Sequence, residues 1–427
     1  MEGSAGLAAG TRRPLAERDA LRATPLASLA DRLAAAPWHL DTIVIAIVTT
    51  LIYLRVAPEN QPYDYFVRLA DALLHGQIHL TEAPSWLNEL VPKDGVFYVV
   101  YPPVPAVLLM PFVAIFGTEF PQQVASCLFG GIAVGLTWAL LGKFALSNST
   151  RLFLTAVFGF GTVFWYVAET GSGWYISHAV AVMFMTGSLN LAFDRRWPWL
   201  VGFLLGLAAV SRLPVGLAAP AVLAILLGIG WPLRVPADRM LALRRLVLFG
   251  VGIGIPSALY FAYNLVRWGT VTDQGYTLIP GVLEDPIYVD HGILALEYIP
   301  RHIHAIFLRS WNFVDEAPFF QPSWWGLSLF MTTPLFLWLA RARLRDPRVL
   351  FAAIGTALVL IPIVTHGNVG ITQFGYRFSL DFQPLLFVVL ATVFERGLSR
   401  LAVVAGVLAI WINIYALWAI SIGFIEY

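Results

Sequence analysis

Cysteine is nearly missing: Cys127 is the one cysteine in 427 residues. A disulfide framework and a thiolate metal cluster are both excluded. Lysine is almost as scarce, since Lys93 and Lys143 are the two lysines among 27 basic residues. That arginine bias, with abundant Ala, Gly and Pro, is associated with high-GC bacterial genomes. Charge of either sign is thin, with 12% Asp, Glu, Lys and Arg where a soluble globular chain has roughly 25%. A Walker loop and a Gly-rich strand-to-helix turn are absent, which argues against a nucleotide-fuelled pump. So are the regular arginine series of a voltage sensor and a selectivity-filter sequence. No internal repeat is visible, which weakens a transporter built from inverted repeats.

What remains is apolar. Hydrophobic residues make up 58% of the chain and the mean hydropathy is +0.73. A soluble domain could not hide so much apolar surface. Composition therefore excludes a cytosolic enzyme, a disordered chain and a nucleic-acid binder. It points to an all-α polytopic membrane protein in contact with the bilayer.

Residues 1–40 are polar and carry Arg12, Arg13, Arg18, Arg22 and Arg32. They read as a cytoplasmic tail, and residues 41–427 as one transmembrane domain. The first apolar stretch, 42–57, is followed by a charged segment that cannot span a bilayer. Residues 58–121 read as a first external loop with interfacial helices, among them the stretch opened by Pro102-Pro103-Val104-Pro105. Charge bias favours this assignment, because a span there would throw every later basic cluster outside. The remaining spans are expected near 122–145, 152–168, 174–192, 197–211, 214–230, 246–265, 323–340, 349–364, 380–394 and 401–423, about eleven in all. The pair at 197–230 is broken by Ser211-Arg212-Leu213-Pro214. A second large external loop covers 266–322 and is rich in aromatics, and loops of such size in compact proteins are usually functional. This topology puts 19 basic and 9 acidic residues on the cytoplasmic side, a balance of +10, and 8 basic and 17 acidic on the outer side, a balance of −9.

Several residues carry candidate chemistry, each beside a plainer reading. Asp64 and Asp71 are seven apart on one face of an expected helix from 64 to 74. A carboxylate held at a membrane surface beside Tyr63 and Tyr65 can serve as a general base; it can equally be a helix cap or a solvated face. Arg212 lies between two apolar half-spans. It either holds a lipid phosphate or snorkels and pairs with a loop carboxylate. Arg377 either binds phosphate or pairs with Asp381 at i, i+4. His178, after Trp174, Tyr175 and Ser177, is a hydrogen-bonded core histidine or a phosphate or sugar ligand, and Glu169 stands in the adjoining outer turn. His302 and His304, spaced i, i+2, do not share a helix face, and no metal is assigned from them.

The order of the motifs resembles the GT-C superfamily of membrane glycosyltransferases, which includes the protein O-mannosyltransferases and the aminoarabinose transferases. A first span is followed by an early loop acid, Asp64. Phe66-Val67-Arg68-Leu69-Ala70-Asp71-Ala72-Leu73-Leu74-His75-Gly76 comes next, then Tyr101-Pro102-Pro103-Val104-Pro105. Gly206-Leu207-Ala208 with Arg212, Tyr263-Asn264, Arg267-Trp268-Gly269 and Gly375-Tyr376-Arg377 complete the series, which covers about residues 42–420. The resemblance implies a polyprenyl-phosphate sugar as donor and a glycan, lipid or protein acceptor. It also implies action at the non-cytoplasmic face, with inversion at the anomeric carbon; the expected setting is the outer face of a bacterial plasma membrane. It gives Asp64 the role of base, with Asp71 in reserve because Tyr-Asp-Tyr stands where several branches have paired acids. The donor phosphate falls to Arg212 and Arg377, with His178, Arg68, Tyr65 and Arg267 as further binding residues. A divalent-metal requirement stays open. The competing class is a transporter or flippase of a lipid-linked or anionic substrate, with Arg212 in its broken helix as the substrate site.

Overall fold

A computed structural model describes residues 40–59, 62–232, 234 and 237–426. The N-terminal tail expected over 1–40 lies almost wholly outside the described residues. The chain is mostly helical. Five helices are long and apolar enough to cross a membrane: Gln122–Leu141, Gly173–Asp194, Arg239–Trp268, Pro347–Val364 and Arg400–Ser421. A sixth span arises if Asn148–Phe160 and Phe164–Thr170, bent by 52° about a short break, are counted together. This is a multi-pass membrane protein. The helix Gly173–Asp194 is central, with 83% of its apolar window buried, whereas Arg239–Trp268 buries 22% of its own and turns Leu259 and Val266 outward.

The helices that begin at one end of the bundle are closed by short polar caps. Ser147, Asp238, Asp346 and Ser399 each accept a hydrogen bond from a first-turn amide, satisfying one of the orphan N–H groups there. Ion pairs gather at the same end. Lys143 meets Asp194 at 2.7 Å, and Arg348 meets Asp346 at 2.7 Å and Glu395 at 2.8 Å. Asp41, at the start of the helix Leu40–Val56, accepts from Trp138 Nε1 at 2.6 Å and faces Arg151. This is the capped end.

The 197–230 region breaks where the sequence breaks it. The helix Pro198–Ala209 stops, Arg212 is extended (φ −145°, ψ 102°), and a 3₁₀ segment Leu213–Ala218 leads into the helix Ala219–Leu227. Pro214 has no amide hydrogen to continue the ladder. The two arms fold back on each other: a Cβ on Gly228 would lie 2.3 Å from the Arg195 guanidinium. Both open ends therefore sit at the capped end, and Arg212 marks the opposite tip.

The helix Val104–Phe116 leaves from and returns to that opposite end. Pro102, just before it, lines the cavity there. Gln122, just after it, accepts from the Phe66 amide at 3.2 Å and donates to the Gly171 carbonyl at 2.7 Å. Between the helices Tyr65–Leu74 and Val104–Phe116 lies an antiparallel hairpin, Leu90–Lys93 with Val96–Val99. Asp94 (φ 53°) and Gly95 (φ 79°) make its two-residue turn, a left-handed pair that suits Asp-Gly. The all-α expectation is corrected at this hairpin and at two further two-stranded pairs. The expected span 323–340 is also corrected. It contains a strand Trp325–Leu327, a single helical turn Leu329–Thr332 and a 3₁₀ run Pro334–Arg341. Trp325–Leu327 is instead drawn into parallel pairing with Gln373–Gly375.

Candidate active site

At the end opposite the caps a cavity of about 460 Å³ opens between the segment 63–102, the Arg212 tip and the loop 366–378. Tyr63, Tyr101, Trp174, Tyr276 and Phe378 provide aromatic walls. Glu89, Asp273, His366, Arg212 and Arg377 provide its ionisable groups.

Arg212 is held from behind. Its Nε donates to Asp381 Oδ1 and Oδ2 at 3.2 and 3.3 Å, and its Nη2 to Oδ2 at 3.0 Å. The same carboxylate meets His178 Nδ1 at 2.8 Å. Asp381 and His178 are fully buried, and the Arg212 side chain is 21% exposed. His178 is thus a core histidine tied to a carboxylate, not a cavity wall. The Arg377–Asp381 pair suggested by i, i+4 spacing does not form. Residues Arg377–Asp381 wind as a 3₁₀ helix, in which i and i+3 line up and i+4 swings away.

Arg377 is buried without an ion-pair partner among the described residues. Its Nη1 donates to the Ile371 carbonyl at 2.7 Å and to Gln373 Oε1 at 3.2 Å, and its Nε has no partner. The guanidinium lies 5.0 Å from the Phe378 ring, 5.5 Å from Tyr175 and 5.8 Å from Trp174. Burial and the nearby Arg212 lower its pKa from the usual arginine value. Gly370 (φ +91°) lets the loop close on it, since a Cβ there would stand 2.8 Å from Arg377 Nη1. Tyr166 and Tyr175 both donate to the Thr372 carbonyl, tying the loop to the bundle.

The first-loop residues divide. Asp64 accepts from Trp86 Nε1 at 2.9 Å and pairs with Arg68 Nε at 3.0 Å. Arg68 in turn lies 5.1 Å from the Trp86 ring. Neither lines the cavity. Asp71 lies on the outer side of its helix, half exposed beside His75. Arg267 is fully buried and structural: Nη1 donates to the Val99 carbonyl at 2.6 Å, Nη2 to Asn264 at 2.7 Å, and the guanidinium sits 4.0 Å from Tyr263. It fastens the hairpin to the helix Arg239–Trp268. Tyr65 is buried, its hydroxyl donating to Asn88 Oδ1 and accepting from the Glu89 amide, each at 2.9 Å.

Glu89 is the cavity residue that the spacing arguments missed. Its Oε2 is buried without a partner. Burial pushes its carboxyl up to about 7, against the opposing pull of Arg377. Burial, with the two arginines adding to it, lowers His366 to about 4, so this cavity histidine is neutral at pH 7. Among the described residues no three His, Cys, Asp or Glu side chains converge as a metal site.

In structure the chain is similar to ArnT from Cupriavidus metallidurans, an aminoarabinose transferase, solved bound to undecaprenyl phosphate and in the apo state. Each comparison has 14% identity and a TM-score of 0.49, covering 86% of this chain and 61% of ArnT. It is also similar to the S. cerevisiae protein O-mannosyltransferase Pmt1–Pmt2 complex bound to the sugar donor. There the identity is 15% and the TM-score 0.37, covering 73% of this chain and 40% of that one. The chain thus spans less than two thirds of either neighbour. No family profile matches the sequence, and no curated protein does.

Proposed function

We propose that the protein is a membrane glycosyltransferase. It moves a sugar from a polyprenyl-phosphate donor to a glycan, lipid or protein acceptor at the outer face of a bacterial plasma membrane. One observation carries this reading: two arginines, Arg212 and Arg377, meet in a single aromatic-walled cavity at the end of an apolar bundle. A cation at membrane depth is expensive unless it is paired or lines a wet cavity. Arg212 has its carboxylate, whereas Arg377 has none among the described residues. An anionic headgroup between them would supply the missing partner.

The chemistry follows from charge. As the sugar leaves, negative charge grows on the lipid phosphate, and fixed guanidinium groups in a dry site stabilise it more than water would. Asp381 and His178 hold Arg212 in place beforehand, so little reorganisation is needed. The aromatic walls offer faces for a sugar ring, and Leu213, Ile363 and Ile371 offer apolar surface for the first prenyl units. The acceptor hydroxyl needs a base. The family resemblance gives that role to Asp64, with Asp71 behind it; Asp64 is engaged by Trp86 and Arg68 and stands outside the cavity lining.

The test is transfer by purified protein from labelled undecaprenyl-phosphate sugars. We expect product of inverted anomeric configuration, and a fall in kcat of at least ~100-fold in Arg212→Ala or Arg377→Ala. Wild-type rates in an Asp64→Asn, Asp71→Asn double variant would remove both acids from the mechanism. Lipid flipping in proteoliposomes without glycosyl transfer would replace the reading with the transporter one.

A further inference from the structure

Two carboxylates, each with a buried oxygen, stand outside the ion pairs among the described residues. Glu169 lies in the bent helix Phe164–Thr170, away from the cavity wall. Glu89 lies in the wall itself. We propose that Glu89 is the catalytic residue that takes the proton of the acceptor hydroxyl. The inference rests on the glycosyl-transfer reading above and names a residue outside the acids that the resemblance supplies.

Geometry argues for it in three ways. Glu89 shares its cavity with Arg212 and Arg377, while Asp64 and Asp71 do not. Its carboxylate is uncommitted: it forms no ion pair among the described residues, and Oε2 is buried without a hydrogen bond. Such an orphaned buried acceptor costs free energy, and an approaching hydroxyl would relieve that cost. Its backbone is fixed. The Tyr65 hydroxyl accepts from the Glu89 amide and donates to Asn88. The Tyr65 ring packs 6.3 Å from Tyr63 and 5.2 Å from Tyr101. Immediately after Glu89 the hairpin begins, and Arg267 and Lys93 tie it to the bundle through the Val99 and Arg267 carbonyls.

The step balances. The acceptor oxygen forms a bond to the anomeric carbon as the bond from that carbon to the phosphate oxygen breaks. The bonding pair leaves with the lipid phosphate, where Arg212 and Arg377 receive it. The hydroxyl proton passes to the Glu89 carboxylate and then to solvent through the open cavity.

Base strength fits neutral operation. The groups that act on Glu89 or are acted on by it are Arg377 from the turn 377–381, Tyr65 from the first loop, and Tyr276 and Tyr288 from the second. Burial pushes Tyr276 up to about 12 and raises Tyr65 and Tyr288 further, so all three stay protonated at pH 7. His366, also in the cavity, is neutral there. Among these groups Glu89 alone changes charge near neutrality, with its carboxyl at about 7. A base must be deprotonated to act, so the rate should climb with pH through that value and then level off.

The experiment measures single-turnover transfer by the full chain in detergent, from about pH 5.5 to about pH 8.5, with a panel of undecaprenyl-phosphate sugars. Binding of undecaprenyl phosphate and thermal unfolding are measured alongside. Glu89→Gln should lose at least ~100-fold in kcat, lose the acidic limb of the profile, and keep both undecaprenyl phosphate binding and folding. Glu89→Asp should recover part of the rate with a displaced limb. A folded Glu89→Gln variant within ~3-fold of wild type, or one that keeps the limb, overturns the assignment of Glu89 while leaving the transfer reading intact. A wild-type chain that neither transfers any sugar of the panel nor binds undecaprenyl phosphate overturns the transfer reading, and the assignment of Glu89 falls with it.

Discussion

Replacing Asp381 by asparagine leaves the Arg212 guanidinium and the His178 ring without their common carboxylate. Breaking a buried charge pair from one side costs about 3–5 kcal/mol, so the Asp381→Asn variant should unfold at a clearly lower temperature. Adding Arg212→Met should restore much of that stability while transfer stays lost, which separates holding the fold from holding the phosphate. Tyr65→Phe is subtler. It removes the hydroxyl from the Glu89 amide and the Asn88 side chain, at about 1–3 kcal/mol. It should lower kcat and leave undecaprenyl phosphate binding unchanged. Arg212 and Arg377 are legible in the sequence because an arginine inside an apolar run has few places to go. Their partners are not. Spacing suggests Arg377 with Asp381, and 3₁₀ winding gives Asp381 to Arg212 instead. Glu89 has no spacing signature at all, since its position depends on a tyrosine hydroxyl reaching back from residue 65.

Between helices, bilayer lipid gives no hydrophobic drive, so close backbone approach must supply the attraction. Gly202 and Gly252 meet across the helices Pro198–Ala209 and Arg239–Trp268. A Cβ on Gly252 would stand 1.9 Å from the Trp199 carbonyl oxygen, and one on Gly202 2.1 Å from that of Phe249. Gly131 and Gly135 admit the helix Leu40–Val56 in the same way, with the Ala46 and Thr42 carbonyls each 2.6 Å from an added Cβ. Gly252→Val should therefore push two backbones apart and lower the thermal unfolding temperature, whereas Gly250→Val, whose Cβ would meet nothing within 4 Å, should leave it nearly unchanged. Hydropathy locates most of the apolar helices to within a few residues, because burial in lipid or protein demands the same residue types. It misjudges 323–340, where Trp325–Leu327 pairs with a strand some fifty residues away and the rest winds as one helical turn and a 3₁₀ run. The hairpin at 90–99 does carry a local signal, Asp94-Gly95 between β-rich flanks, but the charged surroundings mask it.

Across the molecule, charge sorts by end. The ion pairs of Lys143, Arg348 and Arg151 lie with the helix caps, and the carboxylate-bearing loops surround the cavity. If the capped end is cytoplasmic, a chain carrying Cys127→Ser and Glu284→Cys should react with a membrane-impermeant maleimide in intact cells. Arg343→Cys in the same background should react only after permeabilisation; the opposite pattern would invert the assigned topology. Cys127 is buried, so its removal leaves a silent background. The ion pairs at the capped end have one more implication. They tie the turn at Lys143 to the end of the helix Gly173–Asp194, and the helix Pro347–Val364 to the end of Gln383–Phe394. A vessel stapled at its base and open at its rim gives back its contents on the side that filled it. On the transfer reading, then, donor and acceptor would both reach the reaction from the side on which the cavity opens.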